Sequence, residues 1–419
     1  MFLFLFFALF AFVIYPNKTA LQADTLANYL RDVCPPGAFG FVESIRNWFY
    51  SLFYILAELW GSAMISLLFW GFANDITKVT EAKRFYSLFG LGANFALLFS
   101  GPAIVYCSDI LRTTPAGVDA WQISLNYLMT MVVVAGVIAI GVYAWMQKNI
   151  LTDPRFYTPS EQVKTKKDKP KMSIGQSLLF LAKSPYILCL AVLVIAYGIS
   201  INLVEVTWKN QLKLQYPNLN DYSAFMGYFS FATGAVTIFM MLFVGGNCIR
   251  RGWGFAAAIT PVVLLLSGTG FFGFVLFRDS LQGYIAMLGT TPLFLAVIFG
   301  MVQNIVSKSA KYSLFDPTKE MAYIPLDPES KVKGKAAVDV VGARLGKSGG
   351  SMIQQILLVA FGSIGAITPY IAVILFVIIF AWLLAVKILN KKFSALTAQR
   401  AQEAEQALAQ KNAAASVVA

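Results

Sequence analysis

The chain of 419 residues has no histidine. That removes the side chain most used for proton transfer near neutral pH, and with it the commonest metal ligand. Charge is also scarce. Asp, Glu, Lys and Arg make up 13% of the residues and hydrophobic residues 58%, whereas a soluble domain is about one quarter charged. There are four cysteines, Cys34, Cys107, Cys189 and Cys248, without metal-ligand spacing. They read as four ordinary thiols, with a Cys34–Cys107 disulfide as the alternative because both fall in expected outside loops or at their edges. No metal, no cofactor and no soluble catalytic domain is expected.

What is present instead is apolar sequence in lengths that cross a bilayer, about 20 residues per helix. Ten such runs fall at approximately 1–15, 48–73, 85–106, 121–147, 183–207, 223–246, 254–277, 287–310, 336–363 and 367–389. The ninth is the weakest, being rich in small residues and carrying Arg344 and Lys347. The fold class is therefore an all-α polytopic membrane protein. Of 33 Lys and Arg, 26 cluster in alternate connections and in the tail. The positive-inside rule then places both termini in the cytoplasm. The net charge of +12 reflects that bias, so nucleic acid is not an expected partner, whereas the lipid bilayer is.

The connection 148–182 is basic, contains proline and lacks apolar periodicity. It separates an N-terminal bundle of four runs (1–147) from a C-terminal bundle of six (183–390), and a helical or disordered cytoplasmic tail covers 391–419. Secondary transporters commonly join two six-helix halves by such a loop, so a pair of helices is expected to be missing at the start. The opening MFLFLFFALFAFVIYPNK fits the exit half of a spanning helix better than a signal peptide, since it has no basic n-region.

Polar residues inside such runs are the informative ones. Glu58 lies ten residues into the second run, beside Gly61, Ser62 and Ser66, and reads as either a functional or a paired structural carboxylate. Asn94 lies mid-span in the third, among Gly90, Gly92 and Gly101; buried Asn is often only interhelical glue. Glu205 ends the apolar part of the fifth run in INLVEVTWK, either paired with Lys209 one turn on or lining a polar path. Asn304, Lys308 and Lys311 share a helical face at spacings of four and three. The two lysines would reach anionic headgroups or draw an anion to a cavity mouth.

GARLGKSGGSMIQQ (342–355) approaches the phosphate-binding pattern G-x-x-x-x-G-K-[ST]. It fails at position 341, which is Val, and no strand pattern precedes it, so an ATPase motor is rejected. Arg344 and Lys347 remain, three residues apart in a glycine-thinned run, as guanidinium and ammonium donors suited to phosphate oxygens. Their alternative role is an inner-leaflet anchor.

Together AELWGS with LLFWGFAND (57–75), FYSLFGLGAN (85–94), WQISLNYLMT (121–130), INLVEVTWK (201–209), AKYSLFDPTKEMAYIPLD (310–327) and GARLGKSGG (342–350) resemble the ATP/ADP translocase family of plastids and obligate intracellular bacteria. The resemblance implies a major-facilitator-like fold of twelve helices, of which about ten are present here. It implies exchange of ATP for ADP by alternating access, with no enzymatic activity. It marks Glu58, Glu205 and Lys347 as charged determinants of transport, while a further family lysine in the first helix has no counterpart here. With it, Lys347, Arg344 and Asn94 are expected to contact substrate, and Glu58, Glu205 and Lys311 to serve transport or gating. A monomer in a bacterial inner membrane is expected. Proton-coupled nucleotide import and NAD exchange are the rivals within the family; an inactive fragment or a membrane-embedded enzyme are the more distant ones.

Overall fold

The computed structural model describes residues 2–61, 64, 68–76, 79–109, 118–152 and 184–418. All regular structure among them is helical. The apolar opening forms α1 (Phe2–Leu9), continued by a π turn at Phe10–Ile14. Short helices α2 (Asp24–Val33) and α3 (Phe39–Arg46) lead to α4 (Trp48–Gly61), α5 (Trp70–Ile76), α6 (Val79–Asp109) and α7 (Ala120–Trp145). The second half contains α8 (Pro185–Gln215), α9 (Leu219–Phe239), α10 (Gly245–Arg250), α11 (Trp253–Leu276), α12 (Arg278–Ala286) and α13 (Pro292–Ala310). There follow α14 (Asp316–Ala322), α15 (Pro328–Lys335), α16 (Ala343–Phe361) and α17 (Ile364–Val418).

Seven helices among the described residues are long and apolar enough to cross a membrane. Two of the ten expected runs differ, the first and the ninth. The first forms only a short apolar helix at Leu3–Ile14; part of the second, beyond α4, lies outside the described residues. The ninth gives α16, whose polar and small residues dilute its hydropathy. Most of the connection 148–182 lies outside the described residues. All four cysteines are free.

The chain divides into two units, Met1–Thr165 with Tyr216–Phe231, and Lys166–Gln215 with Ala232–Ala419. In the first, the phenylalanines of the opening run pack inward. Phe6, Phe7, Phe10, Ala11, Tyr15, Phe49 and Leu125 form one buried cluster, with ring centroids of Phe10 and Phe53 4.3 Å apart. Aromatic pairs of this kind add about 0.5–1.5 kcal/mol each beyond their area.

In the second unit α8 is the axial helix. It packs on α13, α16 and α17, which is why it is apolar nearly all round rather than along one stripe. The Trp208 indole N–H donates to the Val297 carbonyl at 2.9 Å, and its ring lies against Gly300 of α13, where a Cβ would collide with it. On another face α8 and α16 touch backbone to backbone. A Cβ on Gly198 would lie 2.9 Å from Gly346, and one on Gly350 would lie 2.9 Å from the Asn202 Cβ. Small residues permit this approach, the usual basis of helix association in lipid.

Helix α7 starts at Asp119, whose carboxylate accepts from the Gln122 amide at 3.2 Å and from Lys18 Nζ at 2.9 Å. Burial pushes the Asp119 carboxyl upward, but the hydrogen bonds from Lys18 and Gln122 outweigh it and hold the group below the usual carboxylate range. A depressed carboxylate stabilises the fold above its unfolded pKa, about 3.9, and loses that contribution as pH falls through the folded value. Asp119→Ala is expected to cost about 1 kcal/mol, mostly from the cap, since the exposed ion pair adds little. Thermal melts of the detergent-solubilised protein should show the gap between wild type and variant at pH 7 and its narrowing as pH falls below the unfolded carboxylate value, about 3.9.

Candidate functional site

The chemistry of the second unit is built on α8. Residues three apart on a helix are 60° apart around the axis, so Glu205 stands midway between Trp208, which faces α13, and Asn202, which faces α16. Its carboxylate is 2.9 Å from Lys209 Nζ one turn on and 3.7 Å from Lys308 Nζ of α13. Of the two readings of Glu205, the local pair with Lys209 is present, and a second cation also reaches it from another helix. Glu205 and Lys308 side chains are 25% and 30% exposed, so the pair is shielded from bulk solvent and is screened less than a surface ion pair.

The glycine seam sets the position of α16. Gly346, Gly350 and Gln354, at spacings of four, are its buried positions. The seam is closed by polar bonds: Asn202 Nδ2 donates to Ser351 Oγ at 3.2 Å, and Gln354 Nε2 to the Asn202 carbonyl at 3.2 Å. Gly349 meets Ile199 on one flank of the seam. Lys347 and Ser351 therefore occupy the opposite flank of α16, the side on which Glu205 stands on α8. With Gly346 level with Gly198, Lys347 lies about six residues, or roughly 9 Å, along the axis from Glu205.

Lys347 and Arg344 are both exposed. Lys209 and Lys308 both reach the carboxylate of Glu205, and Lys347 lies on the same flank farther along the axis. Such a surface suits a polyanion with phosphate oxygens. No group of three or more Cys, Asp or Glu able to hold a metal occurs among the described residues.

The remaining expected residues lie elsewhere. Lys311 bonds Asp316 at 2.8 Å, a spacing of five that the intervening π turn (Lys311–Phe315) brings into register. It shares a stripe with Lys308 but has a different partner. Asn304 of the same stripe is fully buried and donates to the Gly300 carbonyl, so it faces the helix interior. Glu58 is exposed on α4 and Asn94 is buried on α6, where its amide donates to the Gly90 carbonyl at 2.9 Å; both belong to the first unit. Two features escaped the sequence reading. The pairing of Lys308 with Glu205 spans 103 positions and has no local signal. Lys319, half of a second shielded ion pair, bonds Asp339 at 2.9 Å.

The family model of the TLC ATP/ADP transporter matches residues 1–393. ADP,ATP carrier protein 1 of Chlamydia pneumoniae is 61% identical over 404 residues, covering 96% of this chain and 78% of the relative. The chloroplastic ADP,ATP carrier protein 1 of Arabidopsis thaliana is 51% identical over 401 residues, covering 96% and 63%. ADP,ATP carrier protein 1 of Rickettsia typhi is 46% identical over 396 residues, covering 93% and 78%. No solved structure matches the chain. With a family match along nearly its whole length and relatives this similar, the chain belongs to the TLC ATP/ADP transporter family.

Proposed function

We propose that this chain exchanges ATP for ADP across a membrane by alternating access and catalyses no covalent reaction. The carrying observation is the cationic side of α8, where Glu205 is held between Lys209 and Lys308 on the flank that also bears Lys347. Family membership supports the substrate pair. The finer architecture belongs to the same reading: a major-facilitator-like arrangement of bundles 1–147 and 183–390 joined by 148–182, in a bacterial inner membrane, with both termini cytoplasmic.

In this reading Lys347, assisted by Arg344, binds the phosphates. Glu205 holds Lys308 while no nucleotide is present. At 3.7 Å and an effective dielectric of about 20, that attraction is of order 4 kcal/mol before desolvation. A nucleotide carrying several charges outcompetes one carboxylate for the same ammonium group. Binding thus releases the interhelical pair between α8 and α13, and a substrate can shift the conformational equilibrium only through such a difference between states. An empty carrier keeps the pair closed and reorients slowly, which makes transport an exchange. Glu58 and Lys311 serve gating.

Two measurements test this. In ADP-preloaded vesicles, Lys347→Ala should lower ATP counterexchange at least a hundredfold with unchanged membrane insertion; exchange at the wild-type rate removes Lys347 from the site. Glu205→Gln should abolish strict coupling, so that ATP enters vesicles lacking internal ADP. Uptake that instead follows a pH gradient and ignores internal ADP would make the protein a proton-coupled importer.

A further inference from the structure

We propose that Lys319 is a positioning residue for the phosphate end of the transport site, acting on Lys347 through Asp339 and the π turn that precedes α16. The proposal rests on the assignment of Lys347 above and adds what holds it in place.

The segment Ala336–Gly342 between α15 and α16 is a π turn. Relative to an α-helix, such a turn contains one extra residue, equivalent to roughly 100° of rotation. It separates two anchored helices. Downstream, α16 is fixed by its glycine seam with α8. Upstream, Gly334 of α15 packs on Ile187, and Lys335 is bonded to Glu320. A continuous α-helix from Pro328 to Phe361 would put one of these two sets of contacts on the wrong side. The π turn absorbs the mismatch.

A π turn has poorer hydrogen-bond geometry than the α-helix it replaces and persists where its surroundings impose it. Asp339, in the middle of this one, is gripped at 2.9 Å by Lys319. Lys319 is 15% and Asp339 24% exposed, so the bond is sheltered. Lys319 also lies 3.5 Å from Glu320, which completes a chain of alternating charge: Lys335, Glu320, Lys319, Asp339. The base of the grip is itself immobilised. The Trp253 indole donates to the Thr318 carbonyl at 2.8 Å, and the Tyr186 hydroxyl to the Ala322 carbonyl at 2.6 Å. The carbonyls just before and three residues after Lys319 are thus tied to the starts of α11 and α8.

Without Lys319, Asp339 keeps its burial and loses its cation, and the π turn loses the contact that pins it. Relaxation toward an α-helix turns α16 against its seam and swings Lys347 away from the flank on which Glu205 stands. The site then binds nucleotide more weakly, while the chain still folds and reorients.

The test uses the full chain in ADP-preloaded proteoliposomes. Lys319→Ala and Asp339→Asn are expected to raise the KM for ATP at least fivefold with the maximal rate within a factor of two. The double exchange Lys319→Asp with Asp339→Lys restores KM to within a factor of two. A Ser348→Cys reporter on the exposed face of α16 should change its labelling rate by a hydrophilic maleimide severalfold in the Lys319→Ala background. Unchanged KM and unchanged labelling overturn the proposal, as does a folded double exchange with a raised KM. If Lys319→Ala fails to insert, the double exchange decides by the same criterion. Wild-type exchange by Lys347→Ala would instead strike the assignment of the phosphate site, and the Ser348 reporter would still judge the clasp.

Discussion

The arrangement of the second unit depends on one steric fact: at Gly198 and Gly346 two helices meet with nothing between them but backbone. In lipid there is no hydrophobic gain from bringing helices together, so association relies on close packing and on polar bonds at the contact. Here the glycines supply the approach, and Asn202, Ser351 and Gln354 supply the bonds. A polar helix such as α16 is costly among apolar neighbours unless its polar face is used. The seam fixes the phase of that helix, and so decides which side its charges occupy.

The charged groups follow a consistent logic. Among the described residues of the second unit, the shielded carboxylates Glu205, Asp316 and Asp339 each have a lysine within 4 Å. Yet the pairs differ in kind. Lys311–Asp316 and Lys209–Glu205 close within a few residues of sequence and stiffen a helix locally. Lys308–Glu205 and Lys319–Asp339 join separate elements, so breaking either changes the relation of one helix to another. Only the second kind ties one helix to another.

Much of this was legible in the residues and some was not. The helices themselves follow from apolar length: α11 and α13 lie close to the predicted runs, while α8 and α17 start close to theirs and continue past the apolar part. The weakness of the run 336–363 was also visible, and its cause is now plain: the small residues that dilute its hydropathy are those that meet α8. Glu205 and Lys347 could be singled out because charge in an apolar run is expensive. Their surroundings could not, because Lys308 and Lys319 find partners through tertiary contacts between helices whose phase depends on π turns. Lys311 shows the same limit. Spacing put it beside Lys308, and the π turn that follows it gives it Asp316 instead. The apolar opening run gave no sign of which of its phenylalanines would turn inward, and several of them form the core of the first unit.

The eight tryptophans are unevenly housed, with a consequence for spectroscopy. In the second unit Trp208 and Trp382 are fully buried and Trp253 is nearly so, stacked on Phe393. In the first, Trp48 and Trp145 are 44% and 55% exposed. Indoles sealed in an apolar interior emit at shorter wavelength than those reached by lipid headgroups or water. The intrinsic emission of this protein is therefore divided by unit, and an aqueous quencher should dim its red edge first. The second unit carries its own optical reporters, built into its packing.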